Sequence, residues 1–149
     1  MIIYIGADHR GFKLKETLKA YLVSSGYTVH DVGNDHYDEN DDYPDFAVKV
    51  AEKVSGDLSN SKGILLCASG VGVDMVANKF SGLRSALIFS PDQAYMSRND
   101  DDVNILSLPA AYLSDEGAKK IVSVWLQTPF SGDERHKRRL NKIKQLENR

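Results

Sequence analysis

The chain has 149 residues, of which 42% are hydrophobic, and it carries a formal net charge of -2 with a pI near 6.1. A chain of this length is expected to form a single domain, 1-149, that buries about 70% of its unfolded surface. The near-neutral charge provides no general basic field, which argues against nucleic acid or an anionic membrane as a partner.

Cysteine usage and hydropathy narrow the possible class of protein further. Cys67 is the only cysteine, so an internal disulfide is impossible and a secreted disulfide framework is excluded. The N-terminal apolar stretch ends at Asp8, which is too early for a signal peptide. No apolar run approaches the roughly 20 residues of a membrane span. These features predict a cytoplasmic protein with no membrane contact.

Five short apolar segments have the length and composition of buried strands. They are residues 2–5, 28–32, 63–67, 85–89 and 104–108. Helical patterns alternate with them: apolar residues repeat at helical spacing over 14–22 and 46–54, and further helices are expected near Val71, at Ser90-Pro91 and after Ser114. Strict alternation of strand and helix predicts a parallel sheet with helices on both faces.

One more helix, over about 133–149, follows without another strand. It begins with a charged run and becomes apolar only at Leu140, Ile143 and Leu146. From Ser131 onward the net charge is +4, so residues 1–130 carry -6. Such a helix either packs on a partner subunit or lies on its own domain. The basic end on an acidic body suggests that a few arginines hold an anion.

Ligands of open α/β sheets bind outside the carboxyl ends of the strands. This rule places residues 6–11, the acidic loop with Tyr43, residues 67–72 and Ser90-Pro91 along one edge. Cys67 lies on that edge, followed by "ASGVG". The cysteine is either an inert buried hydrophobe or a reactive thiol whose thiolate is favoured by the amides of the following turn.

The loop after Cys67 has features of an oxyanion site. The amides from Ser69 to Gly72 would form a concavity for an oxyanion or a phosphate. Gly70 and Gly72 would let the backbone approach a ligand closely.

Several known loops do not match the sequence. A tyrosine phosphatase loop needs arginine where Val73 stands, and a Walker A loop needs lysine where Phe12 follows Gly11. The dinucleotide fingerprint is absent, because Ala7 and Asp8 follow Gly6. One cysteine and four dispersed histidines form no ligand cluster of familiar spacing, so neither a metal nor a cofactor is expected.

Two other pairs are candidates for binding. Asp8 and His9 follow the first strand, where they either cap a helix and face solvent or contact a ligand. Arg135 and Arg139 lie one helical turn apart, as a solvated basic face or as an anion clamp. A thiolate, an oxyanion-binding turn, an Asp-His pair and an arginine pair are together the parts needed to move a proton on a small phosphorylated molecule.

The segments "IGADHRGFKLK", "DDYPDFA", "CASGVGVDMVANKFSGLRSAL", "SRNDDDVNIL" and "RHKRRL" occur in the order and spacing of the ribose-5-phosphate isomerase B family. Relatives of that family include the galactose-6-phosphate isomerase subunits. The chain resembles this family over essentially its whole length. The resemblance implies a Rossmann-like three-layer α/β/α fold and metal-free aldose–ketose isomerisation of a sugar phosphate. It also implies a homodimer or dimer of dimers with active sites at the subunit interface.

The resemblance further implies residue roles. Cys67 is the base that shuttles a proton between C1 and C2 through an enediolate, and Ser69 supplies a hydroxyl in the catalytic loop. The implied substrate-binding residues are Asp8, His9, Tyr43, Ala68, Gly70, Val71, Gly72, Arg135 and Arg139. The loop binds the developing oxyanion, and the two arginines hold the phosphate.

The chain departs from the family pattern near one end of this site. Asp100 stands where the family usually has the histidine thought to open the sugar ring, and Asp101 replaces a substrate-binding asparagine. Residues 109–111 read Pro-Ala-Ala where the family often has a basic residue, and Ala68 and Ser69 replace Gly and Thr. An aspartate is ordinarily ionised at pH 7, so it accepts a proton but rarely donates one.

Three functions remain open from the sequence. The first is a sugar-phosphate isomerase in which Cys67 is the base and Asp100 the replacement ring-opening or polar contact group. The second is a substrate-shifted or non-catalytic sugar-phosphate binding protein that lost catalysis with the histidine. The third, a nucleotide-binding α/β domain, lacks its usual fingerprints.

Overall fold

The computed structural model describes residues 1–147, and its strands and helices alternate as the sequence predicts. The strands are β1 (Ile2–Ala7), β2 (Thr28–Asp31), β3 (Ser61–Cys67), β4 (Ser85–Leu87) and β5 (Ile105–Pro109). The helices are α1 (Phe12–Ser24), α2 (Tyr43–Gly56), α3 (Val71–Ala77), α4 (Pro91–Asp101), α5 (Asp115–Gln127) and α6 (Glu134–Leu146), with a 3-10 turn at Ala110–Tyr112. β4 ends two residues earlier than predicted, and the Phe89 amide donates to the Gln93 side chain of α4.

The five strands form one parallel sheet in the order β2-β1-β3-β5-β4. Helices α1, α4 and α5 cover one face, and α2 and α3 cover the other. This confirms the predicted parallel sheet with helices on both faces and the Rossmann-like three-layer α/β/α fold that the family resemblance implies. No helix among residues 1–147 is long and apolar enough to cross a membrane.

The alternation of side chains along β3 determines which face of the sheet the Cys67 thiol lies on. Ile64 and Leu66 face the core under α1 and α5, whereas Leu65 and Cys67 face the core under α2 and α3. Successive residues of a strand point to opposite faces, so Cys67 ends the strand on the side of α2 and α3.

The predicted helix starts are present. At α4, the Ser90 hydroxyl accepts a hydrogen bond from the Gln93 amide at 3.2 Å, and Pro91 is the first helical residue. At α5, the Ser114 hydroxyl accepts one from the Gly117 amide at 3.0 Å. Each cap satisfies an amide that the first turn of a helix leaves unpaired.

Helix α6 lies against its own chain at two points. Its first turn packs beside the end of α4, where the Ser131 amide donates to the Asn99 carbonyl at 3.0 Å. Just past its end, the Glu147 carboxylate accepts hydrogen bonds from the Ser81 hydroxyl and the Gly82 amide, both at 3.0 Å. The last two residues of the predicted helix, 148 and 149, lie outside the described residues, and packing of α6 on a partner stays a prediction.

Candidate active site

The turn after β3 brings a backbone amide onto the thiol. Cys67 is 5% exposed, and the Gly70 amide donates to its sulfur at 3.1 Å. Gly70 has φ +73°, in the left-handed region, and a Cβ there would lie 3.1 Å from backbone atoms of Leu108 and Pro109. Glycine therefore allows the turn to be tight enough to aim its amide at the sulfur.

The rest of the loop is also held by local contacts. The Val71 amide donates to the Ser69 hydroxyl at 3.3 Å, and the Ala68 carbonyl accepts from the Ala111 amide at 3.0 Å. Two of the four amides expected to bind an oxyanion thus point at side chains of the loop itself. Ala111 lies beside this loop, so the missing basic residue of 109–111 removes a positive charge from this end of the sheet.

Tyr43 lies directly on the loop. It is the first residue of α2, and three carbons of its ring lie 2.5–2.9 Å from where a Cβ on Gly72 would be. Glycine at this position lets the aromatic ring pack on the backbone at the start of α3. The structure therefore brings Tyr43 together with the thiol loop.

Asp8 is buried just beyond the end of β1. It is 6% exposed, and its Oδ1 accepts hydrogen bonds from the amides of Arg10 at 2.9 Å and Gly11 at 3.0 Å. Burial raises the pKa of the Asp8 carboxyl, and the hydrogen bond from the Gly11 amide opposes that shift. Asp8 thus stabilises the turn before α1 while it lies at the ligand-binding edge.

His9 is oriented by Asp41. The Asp41 Oδ1 lies 2.7 Å from His9 Nδ1 and accepts a second hydrogen bond from the His9 amide at 2.9 Å. Because a carboxylate only accepts, Nδ1 is the donor, and this leaves Nε2 as the ring atom for a ligand. Asp41 in turn accepts from the Asn34 side chain at 2.5 Å. The quoted "DDYPDFA" contains Asp41, but its pairing with His9 was not predicted.

Asp8, His9 and Asp41 are also the one group of possible metal ligands that occurs within residues 1–147. One candidate atom from each lies within 4.8 Å of the others. These atoms already have partners: Asp41 Oδ1 pairs with His9, and Asp8 Oδ1 accepts from two amides. The expectation of a metal-free site remains a prediction.

The remaining predicted site residues lie elsewhere. Asp100 and Asp101 end α4, and Arg135 and Arg139 project from α6 as exposed side chains. Asp100 Oδ1 accepts from the Asn99 side chain at 2.7 Å and lies 3.8 Å from Nε2 of His136. His136 belongs to the quoted "RHKRRL" but was not singled out from the sequence.

Two clusters therefore form at opposite edges of the sheet. The thiol cluster, at the carboxyl ends of the strands, contains Asp8, His9, Tyr43 and residues 67–72. The acid–arginine cluster, at the amino ends, contains Asp100, Asp101, Arg135 and Arg139.

The distance between the clusters follows from strand register. Cys67 pairs with Pro109, the last residue of β5, whereas Asp100 precedes Ile105, the first. Four residues at about 3.3 Å each separate these levels by roughly 13 Å. Within one chain Asp100 therefore does not reach Cys67.

Comparisons with known proteins agree with this architecture. A family model described as Ribose/Galactose Isomerase matches residues 3–143. The crystal structure of ribose-5-phosphate isomerase B from Mycoplasma genitalium with bound ribulose 5-phosphate superimposes with a TM-score of 0.95 at 41% identity, covering 99% of this chain and 96% of that one.

Two relatives indicate the range of named activities. Ribose-5-phosphate isomerase B of Escherichia coli K12 is 40% identical over 147 residues, which is 99% of this chain and 97% of that protein. D-erythrulose-4-phosphate isomerase of Pectobacterium atrosepticum is 38% identical over 130 residues, which is 87% of this chain and 85% of that protein. Fold, thiol loop and matches together define the class of protein, an isomerase on an α/β/α scaffold. The chain belongs to the ribose/galactose isomerase family.

Proposed function

We propose that the chain interconverts an aldose phosphate and its ketose phosphate, with Cys67 as the base and ribose 5-phosphate as a substrate. The observation that carries the proposal is the Gly70 amide held 3.1 Å from the Cys67 sulfur at the ligand-binding edge. The named activities of the Escherichia coli and Pectobacterium relatives support the substrate class. The same proposal places the protein in the cytoplasm, where a lone thiol stays reduced.

In the proposed reaction the Cys67 thiolate removes the proton from C2 of the open-chain sugar. The electron pair forms the C1–C2 double bond, and negative charge develops on O1 of the enediolate. The thiol returns its proton to C1 while a proton passes from O2 to O1, which gives the ketose. A base positioned in this way typically contributes about 10² to 10⁴ in rate.

The thiol cluster also offers groups that orient the sugar. His9, fixed by Asp41, would present Nε2 to a hydroxyl, and Tyr43 would lie over the loop. The Ser69 hydroxyl and the amides of Ser69 and Gly72 would hold O1 as charge develops, because amides aimed at a developing oxyanion stabilise the transition state.

A second copy of the chain would complete the site. The arginines and Asp100 lie at the opposite edge of the sheet, so they would reach a sugar on Cys67 from another subunit. Exposed aromatic residues beside the thiol loop support such a contact: Tyr112 is 73% exposed and packs edge-on against Phe89. We therefore propose a homodimer or dimer of dimers in which Arg135 and Arg139 of the second copy bind the phosphate.

The chemistry is tested by incubating the protein with pentose, hexose and tetrose phosphates in D₂O and following loss of the C2 proton by NMR. Exchange on any aldose phosphate is the expected result, and Cys67→Ala should lower it by about 10² to 10⁴. If Cys67→Ala retained exchange within a few-fold of the parent, Cys67 would not be the base.

The shared site is tested by complementation. Cys67→Ala and the double variant Arg135→Ala/Arg139→Ala are each expected to be inactive. When the two are co-expressed and mix freely, about a quarter of parent activity should return, because half of the dimers are mixed and each has one intact site. No recovery in verified mixed dimers would show that each chain builds its site alone.

A second candidate is a sugar-phosphate binding protein without catalysis. It is favoured by Asp100, since a carboxylate replaces the histidine expected at that position. This second function would be identified by saturable binding of a sugar phosphate with no exchange of the C2 proton in the D₂O experiment.

A further inference from the structure

A buried histidine lies behind Asp100. His136 is 3% exposed, its Nδ1 lies 2.7 Å from the Ser131 hydroxyl, and its Nε2 lies 3.8 Å from Asp100 Oδ1. The ring of Phe130 packs against the imidazole with centroids 6.4 Å apart. The imidazole is therefore oriented on one nitrogen and directs the other toward the Asp100 carboxylate.

The Asp100 and His136 side chains differ in whether a substrate can reach them. The Asp100 side chain is 36% exposed, whereas that of His136 is 4% exposed. A substrate can therefore meet the carboxyl group but not the imidazole. Any effect of His136 on a bound sugar must pass through Asp100.

The chemistry of a five-carbon substrate needs a group that gives and takes a proton. An aldopentose 5-phosphate exists mainly as a furanose ring, and its C2 proton becomes labile after the ring opens. Opening breaks the bond between C1 and the ring oxygen, removes the proton from O1 and adds one to the ring oxygen. A lone carboxylate ordinarily has no proton to give at pH 7, whereas an imidazole gains and loses one near that pH.

We propose that Asp100 and His136 act as one proton-holding pair that opens the sugar ring, with His136 as the positioning residue that supplies the proton through Asp100. This inference rests on the isomerase function proposed above. The proton held by His136 passes through the Asp100 carboxyl to the ring oxygen as the C1–oxygen bond breaks. Asp100 takes the O1 proton, which then returns to His136, so the pair ends with as many protons as it began.

The geometry fits a pair that closes when substrate binds. His136 Nε2 and Asp100 Oδ1 are 3.8 Å apart, and a movement of about 1 Å brings them to hydrogen-bond distance. Asn99 now holds the same Asp100 oxygen at 2.7 Å. Catalytic hydrogen bonds are often long in the unliganded enzyme and shorten in the complex.

Two substrates separate ring opening from proton transfer at C2. Ribose 5-phosphate closes to a ring, whereas erythrose 4-phosphate cannot form a furanose because its O4 carries the phosphate. We expect His136→Gln and Asp100→Asn to lower turnover of ribose 5-phosphate about a hundredfold, the low end for a proton-transfer group. C2 exchange on erythrose 4-phosphate should stay within about threefold of the parent.

A control and a rescue sharpen the test. Arg138→Gln, on the exposed surface of the same helix, should leave both substrates unchanged. Asp100→His should make His136 dispensable, because an imidazole that contacts the sugar gives and takes the proton itself. In the Asp100→His variant, the added change His136→Gln should lower turnover of ribose 5-phosphate by less than about threefold.

Several results would refute the proposal that Asp100 and His136 act as a pair. Equal losses on both substrates would assign His136 to the packing of α6 or to phosphate binding, and an unchanged rate on ribose 5-phosphate in His136→Gln would remove it from ring opening. A parent that turns over erythrose 4-phosphate alone would show that the chain opens no ring. A parent that exchanges neither of these sugars nor any hexose phosphate would refute the isomerase function itself, a result visible before any variant is made.

Discussion

Replacing Gly70 by alanine tests the feature on which the proposed mechanism depends most. Gly70 has φ +73°, and an alanine in the left-handed region costs about 1 to 2 kcal/mol. Its Cβ would also collide with the Leu87 side chain and lie 3.1 Å from backbone atoms at Leu108 and Pro109. Overpacking of this kind adds about 1 to 3 kcal/mol, so Gly70→Ala should lower the free energy of unfolding by about 2 to 5 kcal/mol.

Gly26→Ala is the matched control. Gly26 has φ +87°, and no atom lies within 4 Å of the position that its Cβ would occupy. That variant should lose only the backbone term, about 1 to 2 kcal/mol. Urea denaturation of both variants gives the difference, which reports the close approach at Gly70 alone.

Activity supplies the second readout. Any shift of the loop that accommodates the new Cβ moves the Gly70 amide away from the Cys67 sulfur, so C2 exchange should fall in Gly70→Ala and remain at the parent level in Gly26→Ala. The reasoning would be refuted if Gly70→Ala were no less stable than Gly26→Ala, or if it kept the parent exchange rate.

Three further substitutions test other contacts, each by urea denaturation. Asp8→Asn should raise the free energy of unfolding at pH 7, because burial raises the pKa of Asp8 above 3.8 and ionised Asp8 therefore destabilises the folded state. This gain in stability should vanish as the pH falls to 3.8 and below, where Asp8 becomes protonated. A gain that persists at low pH would contradict this cause. Lys15→Met should cost about 3 kcal/mol, the low end for a broken buried ion pair, because Lys15 is fully buried against Asp31 at 2.6 Å. Burial would raise the pKa of Asp31, but hydrogen bonds led by that from Lys15 lower it, so this cost should be present at pH 7 and shrink as the pH falls below 3.8; a cost independent of pH would count against the pair. Gly72→Ala should cost about 1 to 3 kcal/mol by displacing the Tyr43 ring, and adding Tyr43→Ala should remove most of that cost; strictly additive effects would show that the two residues do not touch.

The elements of the fold were predictable because local signals agree with one another. Ser90-Pro91 and Ser114 mark two helix starts, and both hydroxyls cap as expected. The thiol loop was predictable for a different reason: parallel strands place their carboxyl ends at one edge, so Cys67 and Asp8 had to lie near each other. Each of these inferences uses residues close in sequence or a rule of topology.

The parts of the site that escaped prediction depend on pairs distant in sequence. His9 meets Asp41 32 residues away, and Asp100 meets His136 through the packing of α6 beside α4. Periodicity and capping carry no information about which of many carboxylates a histidine will contact. Within such loops only the packed backbone decides the partner, so these pairings had to come from the structure.

Helix α4 relates the two clusters geometrically in the proposed assembly. It starts at Pro91, beside the carboxyl edge of the sheet, and its far end carries Asp100. Its 11 residues span about 16 Å, close to the roughly 13 Å between the levels of the two clusters. Tyr95 and Met96 on this helix are exposed, and β4, from which it departs, is an edge strand. Two copies packed with α4 antiparallel across a two-fold axis would set the Asp100 end of each against the thiol loop of the other. Because that symmetry is closed, one contact would form two identical sites and leave no free cluster to extend a filament.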